Sequence, residues 1–279
     1  MKKKGVLLLA VVLLISLAFA GCGSDNGNGD GNDAGGDMVP MKIGATPVPH
    51  YEILEFVKPL LAEEGIELEI QEFTDYVLPN MALENEELDA NFFQHVPYLE
   101  DFNEKNDTDL SAIIPVHFEP LGLYPGQTAT LEEIQDGDKI AVPNDTTNEA
   151  RALLLLQSAG LIEVDANAGL QATIRDITSN PKNLEIVELE AAQIPRALPD
   201  VNFGVINGNY AIEAGLSAGE DALASEDKDS LAAQTFANVI VTRTGDDREM
   251  FDVLKNILQS EAVREFLEDK YGGAVVPMF

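Results

Sequence analysis

Five short segments of this chain gather the side chains best suited to holding a small polar ligand: residues 73–80, 89–98, 143–151, 205–210 and 236–242. Tyr76, Phe93, His95 and Tyr98 come from the first two. Aromatic rings around a soft apolar group make a pocket, and sulfur packs well against ring edges. The same residues also fit a plain packing role, with Phe92 and Phe93 in a core and His95 and Tyr98 on a surface helix. Arg151 falls in the first turns of a helix that Thr146 and Glu149 are spaced to cap. Free N–H groups at a helix start and a guanidinium fork both favour a carboxylate. Arg151 is equally able to pair with Glu149, Asp145 or another of the many acids. Asn148, Asn207 and Asn238 stand at loops or strand ends. An amide accepts from an ammonium through its oxygen and donates to a carboxylate through its NH₂, which suits an amino-acid backbone. Turn and cap formation is the other common use of such residues.

Signals for catalysis are sparse. The three histidines, His50, His95 and His117, lack the His-Glu-x-x-His spacing, and no Gly-x-x-x-x-Gly-Lys phosphate loop is present. The single cysteine, Cys22, leaves no second thiol for a disulfide or a nucleophile. The chain therefore reads as a binder with no enzymatic activity, no cofactor and no metal. The distant alternative is an extracellular enzyme or metal-binding lipoprotein built on His95, His117 and nearby acids.

The elements that must position these residues alternate between strand and helix patterns. Residues 42–46 read as a strand. Residues 50–62 place Ile53, Leu54, Val57, Leu60 and Leu61 at helical spacing, with Pro59 expected to kink or shorten the helix. Ile66, Leu68 and Ile70 alternate with glutamates as in a half-buried strand. Pro79 opens a helix to about Leu88, and residues 112–116 form another strand. A second unit starts near Lys139, with strands at 139–142, 184–189 and 203–206. Its principal helix runs from the Thr146/Glu149 capping box to Ser158, with Gly160 at its end. A short helix at 191–197, another from Asn207-Gly208 to Ala214, a strand at 239–242 and closing helices at 247–258 and 261–271 complete the pattern. This alternation predicts an α/β fold with mainly parallel sheets.

Charge and the N-terminal residues bound the setting. Of 279 residues, 49 are Asp or Glu and 17 Lys or Arg, a formal net charge of −32. Such a surface repels nucleic acid, which is set aside as a partner. The chain begins with Lys2, Lys3 and Lys4, followed by an apolar run over residues 6–20 broken only by Ser16, then Gly21-Cys22. A basic start, a short apolar core and small residues at the end mark a secretory signal, and the run is short for a membrane span. A cysteine directly after Ala20-Gly21 resembles a bacterial lipobox, with Phe19 where leucine is usual. That resemblance implies removal of residues 1–21 and lipidation (palmitate) of Cys22 as the new N-terminus, on the extracytoplasmic face of the cell membrane. Residues 23–37 are Gly, Asn and Asp with one Ser and one Ala, so 22–40 is expected to be a flexible tether.

The motifs together resemble one family. They are Ile43-Gly44-Ala45-Thr46-Pro47, Asp75-Tyr76-Val77-Leu78-Pro79-Asn80, Phe93-Gln94-His95, residues 183–191 and Gly272-Gly273-Ala274-Val275. They are similar to the methionine-binding lipoproteins (the MetQ/NlpA family), substrate-binding proteins of ABC importers. The resemblance covers nearly the whole body of the chain. It implies a two-lobed periplasmic-binding-protein-like fold (type II) with the ligand cleft between lobes. Lobe 1 would be 41–122 plus 239–279 and lobe 2 would be 123–238. It implies that Tyr76, Phe93, His95 and Tyr98 surround the methionine side chain and that Arg151 clamps the carboxylate. Asn148, Asn207 and Asn238 would make polar contacts to the amino and carboxylate groups. The expected partners are methionine (the L enantiomer, with D as a second), an ABC importer permease and a membrane reached through the lipid anchor. A methionine-containing dipeptide or another amino acid is the alternative ligand. This chain departs from the family pattern at Thr146, where proline is frequent, and at Glu149-Ala150, where Leu-Gly is frequent. An inward-pointing Glu149 would weaken carboxylate binding.

Overall fold

The computed structural model describes residues 38–227 and 234–279; Cys22, the apolar leader and most of the expected tether lie outside the described residues. The chain starts with β1 (Val39–Ala45), α1 (Glu52–Glu63) and β2 (Ile66–Glu72), in which Ile66 and Leu68 are buried between exposed glutamates. A loop leads to α2 (Leu78–Glu84), β3 (Ala90–His95), α3 (Val96–Asn106) and β4 (Leu110–Phe118). Then come β5 (Gly122–Pro125), β6 (Lys139–Pro143), α4 (Thr146–Ser158), and the small pair β7 (Glu163–Val164) and β8 (Ile177–Ser179). They are followed by β9 (Glu185–Leu189), α5 (Ile194–Ala197), β10 (Phe203–Ile206), α6 (Gly208–Glu213) and β11 (Ala224–Ser225). The chain closes with β12 (Asn238–Arg243), α7 (Met250–Leu258), α8 (Glu261–Tyr271) and β13 (Val276–Pro277).

Two sheets organise these elements, and each has its own core. The first has the order β13-β4-β12-β3-β1-β2, the second β11-β5-β10-β6-β9. Met41, Ile43, Ile53, Leu54, Val57, Phe92 and Leu254 belong to the core of the first. Leu123, Ile140, Val142, Leu153, Leu156, Phe203 and Val205 belong to that of the second. The chain leaves the first sheet after β4, through residues 119–121, and is back in it at β12. Those crossings bring side chains from both sheets to one place.

Four local expectations are corrected. The sheets are mixed rather than mainly parallel: β1 pairs parallel with β2 and β3, while β12 pairs antiparallel with β3 and β4. A strand that returns from the other sheet arrives opposite in direction to its new neighbours, which helical periodicity alone does not reveal. The cap of α4 is Asp145, whose carboxylate accepts from Asn148 N at 3.0 Å, not a Thr146/Glu149 box. Asp145 has the extended backbone that an N-cap needs (φ −83, ψ 145). Pro59 does not shorten α1, because it lies on the exposed side, where the unpaired carbonyl one turn earlier meets water. Pro79 does open α2, which ends at Glu84 instead of Leu88.

Helix α4 carries two of the candidate binding residues, and Leu153 on it is fully buried in the second core. Leu153→Ala is expected to lower unfolding free energy by about 2–5 kcal/mol through lost burial and the cavity left behind. Urea denaturation followed by circular dichroism checks this.

Candidate functional site

A cavity lies where the two sheets meet. It is lined by Tyr76, Phe93, Gln94, His95, Tyr98, Glu119 and, from β12 of the first sheet, Asn238, and by Asn148, Arg151, Asn207, Gly208 and Asn209. All eight residues singled out from the sequence are on its wall. Local structure accounts for their direction. Strand β3 is buried along its whole length, and its pairing with β12 passes from Gln94 to Phe92, so Phe93 is left over as a bulge. A bulge re-aims a side chain. Phe92 turns into the first core, and Phe93 turns into the cavity. Behind Phe93, buried amides lock the strand to α2. Asn91 Nδ2 donates to Asn80 Oδ1 at 2.7 Å, and Asn80 Nδ2 donates to Gln94 Oε1 at 2.9 Å.

His95 and Tyr98 are buried rather than placed on a surface helix, which corrects the packing alternative. His95 caps α3: its Nδ1 accepts from Tyr98 N at 3.2 Å. The proton is therefore on Nε2, which donates to Asn148 Oδ1 at 3.3 Å across the cleft. Tyr98 donates to the carbonyl of Tyr76 at 2.9 Å. Tyr76 stacks among Phe93, Tyr98 and Tyr210, with centroids 5.7, 5.8 and 5.0 Å away. Its hydroxyl donates to Asn209 Oδ1 at 2.6 Å, again across the cleft. Tyr210 reaches back to the carbonyl of Thr74 at 3.3 Å. These bonds fasten the two sides together over the cavity.

On the other side, the amide of Asn148 has a fixed orientation. Its Nδ2 donates to both oxygens of Asp145, at 2.9 and 3.0 Å, so its oxygen faces Asn207 Nδ2 at 2.8 Å and His95. Two buried polar atoms of the cavity lining have no hydrogen-bond partner: the acceptor Asn207 Oδ1 and the donor Asn209 Nδ2. Leaving such atoms unpaired is costly, and a ligand that pairs them recovers that cost.

Arg151 pairs with an acid, but with neither Glu149 nor Asp145. Its Nε and Nη2 donate to the carboxylate of Glu226 at 2.7 and 2.5 Å, and Nη2 also donates to the carbonyl of Glu119 at 2.9 Å. Phe236 lies beneath the guanidinium at 4.4 Å. Nη1 has no hydrogen bond among the described residues. Glu149 is turned away, its Oε1 accepting from Ile174 N at 3.0 Å, so its charge does not oppose a carboxylate at Arg151.

Five residues of the site were not singled out from the sequence: the lining residues Gln94, Glu119, Gly208 and Asn209, and Glu226 behind Arg151. Asn209 stands in the Asn207-Gly208-Asn209-Tyr210 segment, where its spacing already hinted at it. Glu119 and Glu226 are distant in sequence from the other segments, and two among 49 acids give no local signal. Glu119 is buried and its Oε1 is 2.7 Å from His117 Nε2 and 3.4 Å from His50 Nε2. The histidines that approach one another at an acid are thus His50 and His117, rather than His95 and His117. Burial pushes the Glu119 carboxyl above its ordinary range, with His50 and Arg151 pulling the other way. Residues 215–219, Gly-Leu-Ser-Ala-Gly, match the spacing of a hydrolase nucleophile turn. They follow helix α6 rather than a strand, and Ser217 Oγ merely accepts from Gly219 N at 3.3 Å, so the geometry that exposes a nucleophile is missing.

The family model for NlpA lipoprotein matches residues 41–279. The methionine-binding lipoprotein MetQ of Bacillus subtilis is 37% identical over 99% of this chain and 99% of its own length. A solved nutrient-binding protein from Burkholderia cenocepacia, bound to methionine, is 40% identical, with a TM-score of 0.82 over 86% of this chain and 100% of its own. The periplasmic substrate-binding protein of an ABC transporter from Coxiella burnetii is 40% identical, with a TM-score of 0.80 over 85% of this chain and 100% of its own. The fold is that two-lobed, periplasmic-binding-protein-like α/β architecture. Among the described residues, no helix is long and apolar enough to cross a membrane.

The electrostatics of the three histidines give a test of the buried site. Burial holds His50 down at about 4 and both His95 and His117 at about 3, against an ordinary 6.5. Below 6.5 the unfolded chain takes up protons that the folded protein refuses. The histidine contribution to stability is therefore complete above that value and declines as pH falls, by up to ~1.4 kcal/mol per unit for each residue. All three imidazoles are expected to stay neutral at pH 5.5 by NMR; a midpoint at about pH 6 for any of them contradicts the buried arrangement.

Proposed function

Because this chain belongs to the NlpA lipoprotein family, we propose that it is the substrate-binding lipoprotein of an ABC importer and that its ligand is methionine. The observation that carries the reading is the lining of the closed cavity. It combines aromatic side chains with a cationic guanidinium and unpaired amide atoms. A thioether packs favourably against ring edges, which suits Tyr76, Phe93, His95 and Tyr98 as neighbours of the side chain. Arg151 Nη1 takes the carboxylate, and the Glu226 pair keeps the guanidinium fixed in direction. Asn148, Asn207 and Asn238 complete the polar contacts. Binding at such a site needs no covalent step, so the protein acts as a carrier and not as an enzyme.

The mechanism is hinge closure. Lobe 1 is residues 41–122 with 239–279, and lobe 2 is residues 123–238. The ligand enters with the lobes apart, contacts both, and biases the equilibrium toward the closed form that a permease reads. Each bridging bond, such as Tyr76 to Asn209, contributes about 1 kcal/mol. Closure is therefore reversible without the ligand. Lipidation at Cys22, with the tether after it, keeps the protein on the extracytoplasmic face beside its permease.

Isothermal titration with L-methionine is expected to show one-site binding. Arg151→Ala should weaken it by at least about 30-fold, with a smaller loss in Asn238→Ala, since truncating a buried charged partner costs more than truncating a neutral amide. No binding of L-methionine, D-methionine or methionyl dipeptides by the unmutated protein would sink the ligand assignment. In cells, Cys22→Ala should move the protein from the membrane fraction to the soluble fraction while the purified protein keeps its affinity. Retention in the membrane fraction would refute the anchor.

A further inference from the structure

The bonds that fasten the lobes over the cavity are made by neutral side chains: His95 to Asn148, Tyr76 to Asn209 and Tyr210 to Thr74. A charged one lies outside the cavity wall. Lys105, in the last turn of α3 in lobe 1, donates through Nζ to Oγ1 of Thr146, the first residue of α4 in lobe 2. We propose that Lys105 and Thr146 form a latch between the lobes, in which the ammonium offsets two carboxylates that closure brings together and so sets how long the closed form keeps its ligand. This rests on the hinge-closure reading and deepens it, because it assigns residence time to residues outside the cavity lining.

The charges around Lys105 show why a cation is needed there. Asp101 stands one turn earlier on α3, with Oδ2 2.9 Å from Lys105 Nζ. Asp145, the N-cap of α4, immediately precedes Thr146. Its carboxylate accepts from Asn148 N at 3.0 Å, from Asn148 Nδ2 at 2.9 and 3.0 Å and from Thr147 Oγ1 at 3.4 Å. A carboxyl surrounded by donors in this way is held ionised. Burial pushes Asp145 above its ordinary range, those donors pull it back, and the charge of Asp101 pushes it up again. The same two charges reach the Tyr98 hydroxyl, which burial pushes up first and Asp145 and Asp101 push further. Asp101 belongs to lobe 1 and Asp145 to lobe 2, so their repulsion is a cost of closure. Among the described residues, Asp101 pairs with no cation other than Lys105, and Asp145 has no ion pair. The start of α4 carries about half a positive charge, which alone would repel an ammonium, but the full negative charge of Asp145 beside it outweighs that.

The latch also protects the polar wall of the cavity. Asp145 fixes the amide of Asn148, whose oxygen faces Asn207 and His95. Repulsion from Asp101 with nothing to offset it would displace Asp145 and the amide with it. The Lys105 side chain is 54% exposed, so the latch is worth a few-fold in rate rather than orders of magnitude, and closure stays reversible. The Lys105 to Thr146 bond exists only when the lobes meet. It does not help a ligand to enter, and its effect falls on reopening and release.

The test is stopped-flow measurement of L-methionine association and release on the mature chain, at about 0.05 M and about 0.5 M NaCl. The proteins compared are the unmutated chain, Lys105→Met, Thr146→Val, Asp101→Asn and the double variant Lys105→Met with Asp101→Asn. At low salt Lys105→Met is expected to release methionine about 2- to 5-fold faster with an unchanged association rate constant, and Thr146→Val about 2-fold faster. High salt should shrink the Lys105→Met effect, because ions screen the repulsion between Asp101 and Asp145 that the variant leaves bare. With Asp101→Asn already in place, losing Lys105 should speed release no more than Thr146→Val does, since one of the two repelling charges is gone. Unchanged release in Lys105→Met, an effect of equal size at both salt concentrations, or an undiminished effect beside Asp101→Asn overturns the latch and leaves the methionine reading intact. Slower association in place of faster release overturns it as well. Failure of the unmutated protein to bind methionine overturns both readings.

Discussion

A positive and a negative side chain buried beside each other at the junction of two lobes set the terms for the rest of this structure. Isolated charges in such a place are expensive, and each has a different remedy. Arg151 has a bidentate carboxylate and an aromatic face. Glu119 has neutral N–H donors. Burial keeps all three histidines neutral in the interior of this acid-rich chain. His117 donates to Glu119 and, as a neutral donor, orients its carboxylate. The Glu226 pair leaves one edge of the guanidinium open, because only two of its three nitrogens have partners among the described residues.

On the proposed hinge mechanism, burial of this charge pair depends on closure, and closure on contacts that are individually weak. His95 to Asn148, Tyr76 to Asn209 and Tyr210 to Thr74 each join one lobe to the other. Each lobe has its own apolar core, so separating the lobes exposes the cavity without breaking either core. The physical division of labour follows. Hydrophobic burial stabilises the lobes; under the proposed mechanism, polar contacts set the equilibrium between open and closed, and a ligand shifts it by what it adds in the closed form alone.

Much of the framework was legible in the chain because it is recorded locally. Alternation at Ile66, Leu68 and Ile70, the strand at 203–206 and the closing helix at 261–271 are all properties of adjacent residues. So is the aromatic and amide character of the segments that line the cavity. Asp145 shows the limit even at short range: Thr146 and Glu149 satisfied the spacing of a capping box, yet the carboxylate one residue earlier took the N-cap. Capping is a competition between neighbouring acceptors, and the pattern names the candidates without ranking them.

Taken alone, the sequence determined the class of the fold, the acidic character of the chain and the kinds of side chain available for a ligand. Tertiary structure decided which of those side chains meet. Glu226 is 75 positions from Arg151 and Glu119 is 69 from His50, so nothing local links them. The mixed strand directions, the bulge that turns Phe93 inward and the inward aim of Glu119 share the same origin. Each arises where the chain passes between two sheets, and an interaction across that junction depends on distances in space that no periodicity along the chain encodes.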